Sequence, residues 1–537
     1  MTFVANMALF NMQSSTPKKS QQTYRTLFWL FLTFITAIRL LLAGKFGLGV
    51  DESHYLLYSR HLAWGYFDHP PMVAFLAALT SIFGDSVFLV RLGPVICSVI
   101  SLVLLRYLAL ALYRDERVGF WATVLLHLMP YQHLLLVGLL PDASLNVFWC
   151  GTLLAVWQAM KSGKWPMWIL TGLLFGGALL SKYHAVLLAL CLLGYLITSA
   201  DHRFWLKKAQ PYVAALIGLI VFMPNILWNA RHSWISYSYQ LGQGSGGGLD
   251  PGKFIAAIGG QLGAWSPIIF GLLIAVFIVI IRQQKISEAD RFAVWTSIPL
   301  FVFFCLTGLT SKILPHWTSV GWWTGSIAVT MVILQKIPRL SPSATRWRRW
   351  SAAAAVTGFV MTALLYVVLF LPVVGPVYNW ARNVSVSLNQ KFPAVKPLKP
   401  FETGFDISNE LFGWPDIARQ VESIRAEMPR PATTFVFGHR FHSTSQLAVY
   451  LKRATTATVL HHTYNQYRLW FGAEDHAGWD ALFIVDQKRH QKRAGRYRPL
   501  FSKMDPQPIE IRILRNGRLA QKIEVYRYFG FKGKYDE

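Results

Sequence analysis

Long apolar runs separated by short charged or proline-bearing breaks fill the chain up to about residue 372, after which the pattern changes to short, compact runs. A helix needs roughly 17 to 25 predominantly apolar residues to cross about 30 Å of hydrocarbon. That length predicts eleven spans, at about 27–43, 88–112, 118–137, 143–160, 165–180, 185–199, 210–228, 256–281, 292–310, 316–335 and 351–371. The fifth and sixth are short and are expected to be tilted, broken or covered by neighbours. Further on, Trp414 to Met428 predicts a helix with Pro415 and Asp416 in its first turn. Residues 433–438, 456–460 and 481–486 predict short buried strands, with a helix at 443–452 between two of them. Residues 510–527 predict a hairpin turning on Arg515-Asn516-Gly517-Arg518. The expected fold class is therefore a multi-span α-helical membrane protein of about eleven transmembrane helices, with a membrane domain over 1–371 and a small α/β domain over 372–537.

Composition sharpens this picture. Of 537 residues, 53% are hydrophobic and 15% charged, and the mean hydropathy is +0.36, too apolar for one soluble core. A net charge of +26 invites a nucleic-acid reading, but the basic residues sit in short clusters between apolar runs and not along one face. With the N-terminus cytoplasmic, Arg114/Arg117, Lys161/Lys164, Arg203/Lys207/Lys208, Arg282/Lys285/Arg291 and Lys336/Arg339/Arg346/Arg348/Arg349 all fall inside, as the positive-inside rule requires. Everything after about 372 is then outside. Lys18, Lys19 and Arg25 precede Leu27 to Ala43 without an Ala-x-Ala site, which predicts an uncleaved anchor. The cysteines, Cys97, Cys150, Cys191 and Cys305, all lie in apolar runs without ligand spacing and read as core thiols.

The outer loops collect the candidate chemistry. Asp51 and Glu52 follow the first span, and a carboxylate at such a boundary suits a base that takes a proton from a hydroxyl. Lys182, beside Tyr183 and His184, interrupts an apolar stretch from Trp168 to Thr198, where an ammonium needs a partner such as a lipid phosphate or must snorkel. Asp142 after Pro141 either caps its span or faces Asp51 across a cavity, where the two carboxylates would be the ligands of any divalent cation. His69-Pro70-Pro71 and Pro315-His316-Trp317 bring imidazoles to the outer side as sugar or phosphate contacts or as interfacial residues. Arg39 near the outer end of the first span has the same two readings. Trp228 to His232, including Arg231, precedes Gly242 to Gly248, a candidate lid or a plain linker.

These residues also carry a resemblance. Asp51-Glu52-Ser53-His54-Tyr55 with Gly65-Tyr66-Phe67-Asp68-His69-Pro70-Pro71, then Pro141-Asp142-Ala143, Leu180-Ser181-Lys182-Tyr183 and Pro224-Asn225-Ile226-Leu227-Trp228-Asn229, occur in an order that resembles glycosyltransferase family 39. That family includes protein O-mannosyltransferases and the aminoarabinose transferase of lipid A. The resemblance implies a C-type glycosyltransferase (GT-C) fold, a polyprenyl-phosphate-linked sugar as donor, and Asp51 as base with Asp142 as the second outer acid. His54 and His184 depart from the residues common at their positions, which bears on donor and acceptor identity more than on the reaction.

The combined expectation is an inner-membrane transferase that moves one sugar, with inversion, to an acceptor on the periplasmic face: lipid A or another envelope glycolipid first, a protein second. Asp51 and Glu52 are its catalytic candidates, and His69, Asp142, Lys182, Tyr183, Arg231 and His316 its substrate contacts. A transporter or flippase of the same lipid-linked sugar is the rival; it would favour midplane charges and internal repeats, and neither is visible. A sensor built on the outer domain is a third reading, under which Asp51 would be dispensable.

Overall fold

The computed structural model describes residues 18–244, 248–336, 344–392, 394, 396–402, 406–486 and 491–535. The chain divides into two compact units: residues 1–43 with 63–363, and residues 44–62 with 364–537. The expected division at 371 placed 44–62 with the membrane helices, whereas that segment packs with the C-terminal unit.

In chain order the helices begin with α1 (Lys18–Ala43), α2 (Val50–Ser59), α3 (Met72–Ser81), α4 (Val87–Tyr113), α5 (Glu116–His127), α6 (Pro130–Leu135) and α7 (Pro141–Ser162). They continue with α8 (Trp165–Ser181), α9 (Val186–Thr198), α10 (Ala209–Arg231), α11 (Ile235–Gly244), α12 (Pro251–Trp265), α13 (Pro267–Ile281), α14 (Glu288–Trp295), α15 (Ile298–Thr307), α16 (Gly321–Met331) and α17 (Ala344–Phe370). All except α2 and the last turns of α17 belong to the first unit.

Every predicted span is helical, but among the described residues only six helices are long and apolar enough to cross a membrane, or seven if one bent pair counts as a span. The runs over 165–180, 185–199 and 316–335 form helices that are too short, and the other two that fall short are broken ahead of a proline. A proline lacks an N–H and disfavours helical backbone in the residue before it. The run expected as one span over 118–137 breaks at Met129, which is extended ahead of Pro130. The run over 256–281 bends by 103° at Ser266, whose φ is 71°, ahead of Pro267. Pro94 and Pro224, by contrast, sit inside helices that stay continuous. The interior of this unit packs around fully buried Trp149, Trp265, Trp322 and Trp323.

The basic loops meet acids that hold the ends of these helices. Arg106 pairs with Glu116, Arg117 with Asp115 at 2.7 Å, and Lys336 with Asp290 at 2.6 Å. Burial works against charge on Asp115, yet the hydrogen bonds from Arg117 and Gln335 outweigh it and keep its carboxyl below the usual range.

The second unit is an α/β layer. Helix α18 (Val374–Lys391) follows the last span, then come α19 (Trp414–Ala426), β1 (Thr434–Gly438), α20 (Phe441–Tyr450), β2 (Ala457–Val459), α21 (Tyr467–Trp470), β3 (Asp480–Asp486), β4 (Phe501–Met504), β5 (Ile509–Arg515) and β6 (Arg518–Phe531). Strand β1 pairs in parallel with both β2 and β3, while the long β6 runs antiparallel to β3, β4 and β5. Alternation fills both faces of the sheet. Val436, Leu482, Ile484, Ile523 and Val525 pack with Ile417, Val421 and Leu447 of α19 and α20, and Phe435, Phe437, Phe483, Tyr528 and Phe531 pack on the opposite side. The predicted turn is present: Asn516 and Gly517 have φ of 49° and 76°, the left-handed pair a two-residue hairpin asks for.

Candidate active site

In the first unit the sequence candidates converge on a buried ion pair. Lys182 ends α8 at the point where the chain turns into a short 3-10 segment (Tyr183–Ala185). Its Nζ lies 3.0 and 2.9 Å from the two carboxylate oxygens of Asp142, in the first turn of α7. The two residues are only 4% and 1% exposed, so each supplies the partner that makes the other's charge tolerable. Ser319 donates to the same carboxylate at 3.2 Å. His184 and His316 stand within electrostatic reach of Asp142. His316 stacks on Tyr131, with ring planes 5° apart and Nδ1 3.5 Å from the phenol oxygen. One turn further along α7, Asn146 accepts from the indole of Trp323 at 3.0 Å.

His69 joins this group from the Gly65–Pro71 loop. Burial lowers its pKa; Asp68 pulls it up, Lys182 pushes it further down, and Asp142 opposes. The net effect keeps the imidazole neutral at neutral pH. Its loop is held by backbone contacts to α10 and α11. Asn225 donates to the Trp64 carbonyl at 2.8 Å, Ser236 to that of Tyr66 at 2.6 Å, and Gln240 to that of Asp68 at 2.6 Å. Gly65 is required here, because a Cβ would lie 2.5 Å from the Trp228 ring. Tyr183 belongs to the same brace: its hydroxyl accepts from Asn225 and Asn229, each at 3.5 Å.

Arg231, the last residue of α10, is exposed and makes no bond to this cluster among the described residues. The glycine-rich lid candidate lies partly outside the described residues, which stop at Gly244 and resume at Gly248. Sequence reasoning missed Ser319, Ser236 and Gln240. Each is an ordinary polar residue whose role depends on a partner distant in the chain, so no local signal marks it.

In the second unit, Asp51 and Glu52 occupy the second and third positions of α2. Glu52 is buried and its Oε2 accepts from the Gly49 N–H at 2.8 Å, the one half of a capping box that a glycine cap, with no side chain, can make. Asp51 is exposed. The rest of α2 is pinned to α20: His54 Nδ1 lies 3.0 Å from the Ser445 hydroxyl and His54 Nε2 3.0 Å from the Tyr58 hydroxyl, and Ser445 in turn bonds Tyr467. Arg60 donates to the carbonyls of Ala448 and Val449 at the C-terminal end of α20, and Gln446 donates to the carbonyl of Leu48. Asp51 thus rides on a helix whose orientation is set by residues some 390 positions further on.

Among the described residues no group of three or more His, Cys, Asp or Glu side chains is arranged to hold a metal ion. The expected pairing of Asp51 and Asp142 as cation ligands does not fit the donor set, since both Asp142 oxygens already accept from Lys182 and a cation would have to displace that ammonium.

Residues 68–228 match the family model of dolichyl-phosphate-mannose-protein mannosyltransferases. The chain is 25% identical over 299 residues to the lipid A galacturonosyltransferase RgtD of Rhizobium johnstonii, an alignment that takes in 54% of this chain and 61% of that protein's length. Among solved structures, the Archaeoglobus fulgidus oligosaccharyltransferase is similar with a TM-score of 0.48 at 10% identity, over 85% of this chain and 69% of that one. The S. cerevisiae protein O-mannosyltransferase Pmt1–Pmt2 complex is similar with a TM-score of 0.30 at 15% identity, over 43% of this chain and 36% of that one. The matched segment holds His69, Asp142, Lys182 and the bracing Asn225.

Proposed function

We propose that this protein is a membrane glycosyltransferase that moves one sugar from a polyprenyl-phosphate carrier to a hydroxyl of an envelope acceptor on the periplasmic face of the inner membrane. The observation that carries the proposal is the buried Lys182–Asp142 pair with three imidazoles around it, the pair, His69 and His184 lying in the segment that matches the mannosyltransferase family model. An ammonium has three N–H bonds. Two are given to Asp142, and the third is available to a phosphate as charge grows on it. Asp142 and Ser319 fix the direction of that ammonium before substrate arrives, which is the condition under which a charge stabilises a transition state at little reorganisation cost.

In the proposed step, the Asp51 carboxylate accepts the acceptor's hydroxyl proton while the acceptor oxygen attacks the anomeric carbon. The bond from that carbon to the phosphate oxygen breaks on the opposite side, its electron pair stays with the polyprenyl phosphate, and configuration inverts. The proton then passes to water or to the released phosphate. His69, neutral by burial, is suited to hydrogen-bond a sugar hydroxyl. Lipid A is the proposed acceptor, since a relative is a lipid A galacturonosyltransferase; a uronosyl donor is accordingly the first to test.

Membranes carrying the protein, supplied with polyprenyl-phosphate sugar and lipid A, should form glycosylated lipid A by mass spectrometry. Asp51→Asn should slow the transfer by about 10²–10⁴-fold, the usual contribution of a general base. Transfer at the unsubstituted rate with normal expression would remove Asp51 from the mechanism. Movement of intact donor across vesicles without any product would favour a flippase.

A further inference from the structure

The last span does not lead directly into the α/β layer. After Phe370 the chain turns within a few residues into α18, and none of the residues of that helix is buried. Its exposed large apolar side chains nevertheless lie on one side. Val377 (60% exposed), Trp380 (69%), Val384 and Leu388 recur with the spacing of a single helical stripe about 80° wide, and Asn379 and Arg382 lie across the helix from them. Such a stripe would be costly in water. The chain between Leu371 and Phe401 contains no acidic residue and four basic ones, Arg382, Lys391, Lys396 and Lys399.

A second observation fixes the level of this surface. The hairpin turn between β5 and β6 caps the last span. Arg515 donates to the carbonyls of Leu369 at 2.6 Å and Val368 at 3.3 Å, which lie in the final turn of α17, and Arg518 donates to that of Pro372 at 3.3 Å. The turn therefore lies where the span leaves the hydrocarbon, and beside it Leu514 points an apolar side chain outward at 63% exposure.

We infer that α18 and the β5–β6 turn form a membrane-surface docking face, with the Val377–Trp380–Val384–Leu388 stripe seated in the headgroup boundary of the leaflet that the last span exits. The occupant is the bilayer and not a protein. The helix that carries the stripe begins four residues beyond the end of a span, the flanking charge is uniformly basic and complements anionic headgroups, and an indole on the stripe is the side chain most at home at that depth. The role is mechanical: two fastenings, the capped span and the seated helix, hold the α/β unit at a set height over the leaflet. This inference does not depend on the role of Asp51.

The full chain, with its native cysteines replaced, should be placed in nanodiscs of phosphatidylethanolamine and phosphatidylglycerol. Single spin labels are introduced by Val377→Cys, Trp380→Cys, Val384→Cys and Leu388→Cys on the stripe, and by Asn379→Cys and Arg382→Cys opposite. Collision with oxygen should exceed collision with a water-soluble nickel chelate at the stripe positions, at a depth of roughly 5–10 Å, and the order should reverse at 379 and 382. Nickel access at all six positions would overturn the inference, as would shielding of the stripe from both reagents, the signature of a protein contact. Each labelled chain must keep the unlabelled melting temperature; because the substituted positions are all outside the core, a set that melts low in every member would show that α18 is packed within the protein and would also overturn it.

Discussion

Removing the ammonium of Lys182 while Asp142 stays in place leaves a carboxylate 1% exposed whose hydrogen bond among the described residues is the one from Ser319. Breaking one side of a buried pair typically costs about 3–5 kcal/mol, whereas replacing both sides with apolar groups is often neutral. Lys182→Met should therefore lower the melting temperature of the purified protein sharply, and Lys182→Met with Asp142→Leu should recover much of it. If the pair has only a structural role, the double variant regains transfer activity along with stability. If it orients an ammonium toward the leaving phosphate, stability returns and activity does not. The sequence indicated that Lys182 and Asp142 each needed an explanation, and the apolar run around Lys182 called for a partner or for snorkelling. Which partner was not legible, because the two lie 40 positions apart, on successive helices whose mutual register no periodicity reveals.

Among the elements, the loop from Gly65 to Pro71 depends on a brace it does not contain. Gly65→Ala places a methyl group 2.5 Å from the Trp228 ring, and the loop must move away from α10. Overpacking of this kind costs about 1–3 kcal/mol, and because His69 travels with the loop, the expected result is a raised KM for the sugar donor with a smaller change in protein stability. Titration of donor against the variant checks it. Helices and strands here were legible from run length and alternation, as was the Asn516-Gly517 turn. Helix breaks at Met129 and Ser266 were less so: both come just before a proline inside an apolar run, and the ruler that found the runs counts hydrophobicity and not N–H groups. Helix α18 was overlooked for the converse reason, since a four-residue stripe in a polar stretch reads as a linker until it is wound into a helix.

For the whole molecule, the chain is assembled from two units that exchange a segment. The second unit has its own pH response. The Glu422 carboxylate is partly buried, which raises its pKa, but it accepts from Thr455 at 2.7 Å, Arg425 at 2.9 Å and the Lys452 N–H at 3.1 Å, and the net shift is downward. A carboxyl with a lower pKa folded than unfolded adds stability above its unfolded value, here 4.5, and that stability is lost as pH falls through the folded value. Melting of the α/β unit, followed by near-ultraviolet circular dichroism, should therefore weaken below about pH 4.5, and Glu422→Gln should weaken that dependence. The assignment of 44–62 to this unit was the least legible feature of all, because its evidence consists of bonds such as His54 to Ser445 between residues that neither motif nor hydropathy connects.

That exchanged segment sets a rule for anyone who would graft parts between relatives. A chimera cut at the end of the last span would inherit one parent's α2 and the other parent's α20, and the contacts of His54, Arg60 and Leu48 would face unfamiliar side chains and carbonyls. The transplantable piece is discontinuous: residues 44–62 must travel with 364–537, and acceptor preference, if it resides in either, should be inherited only when both move together.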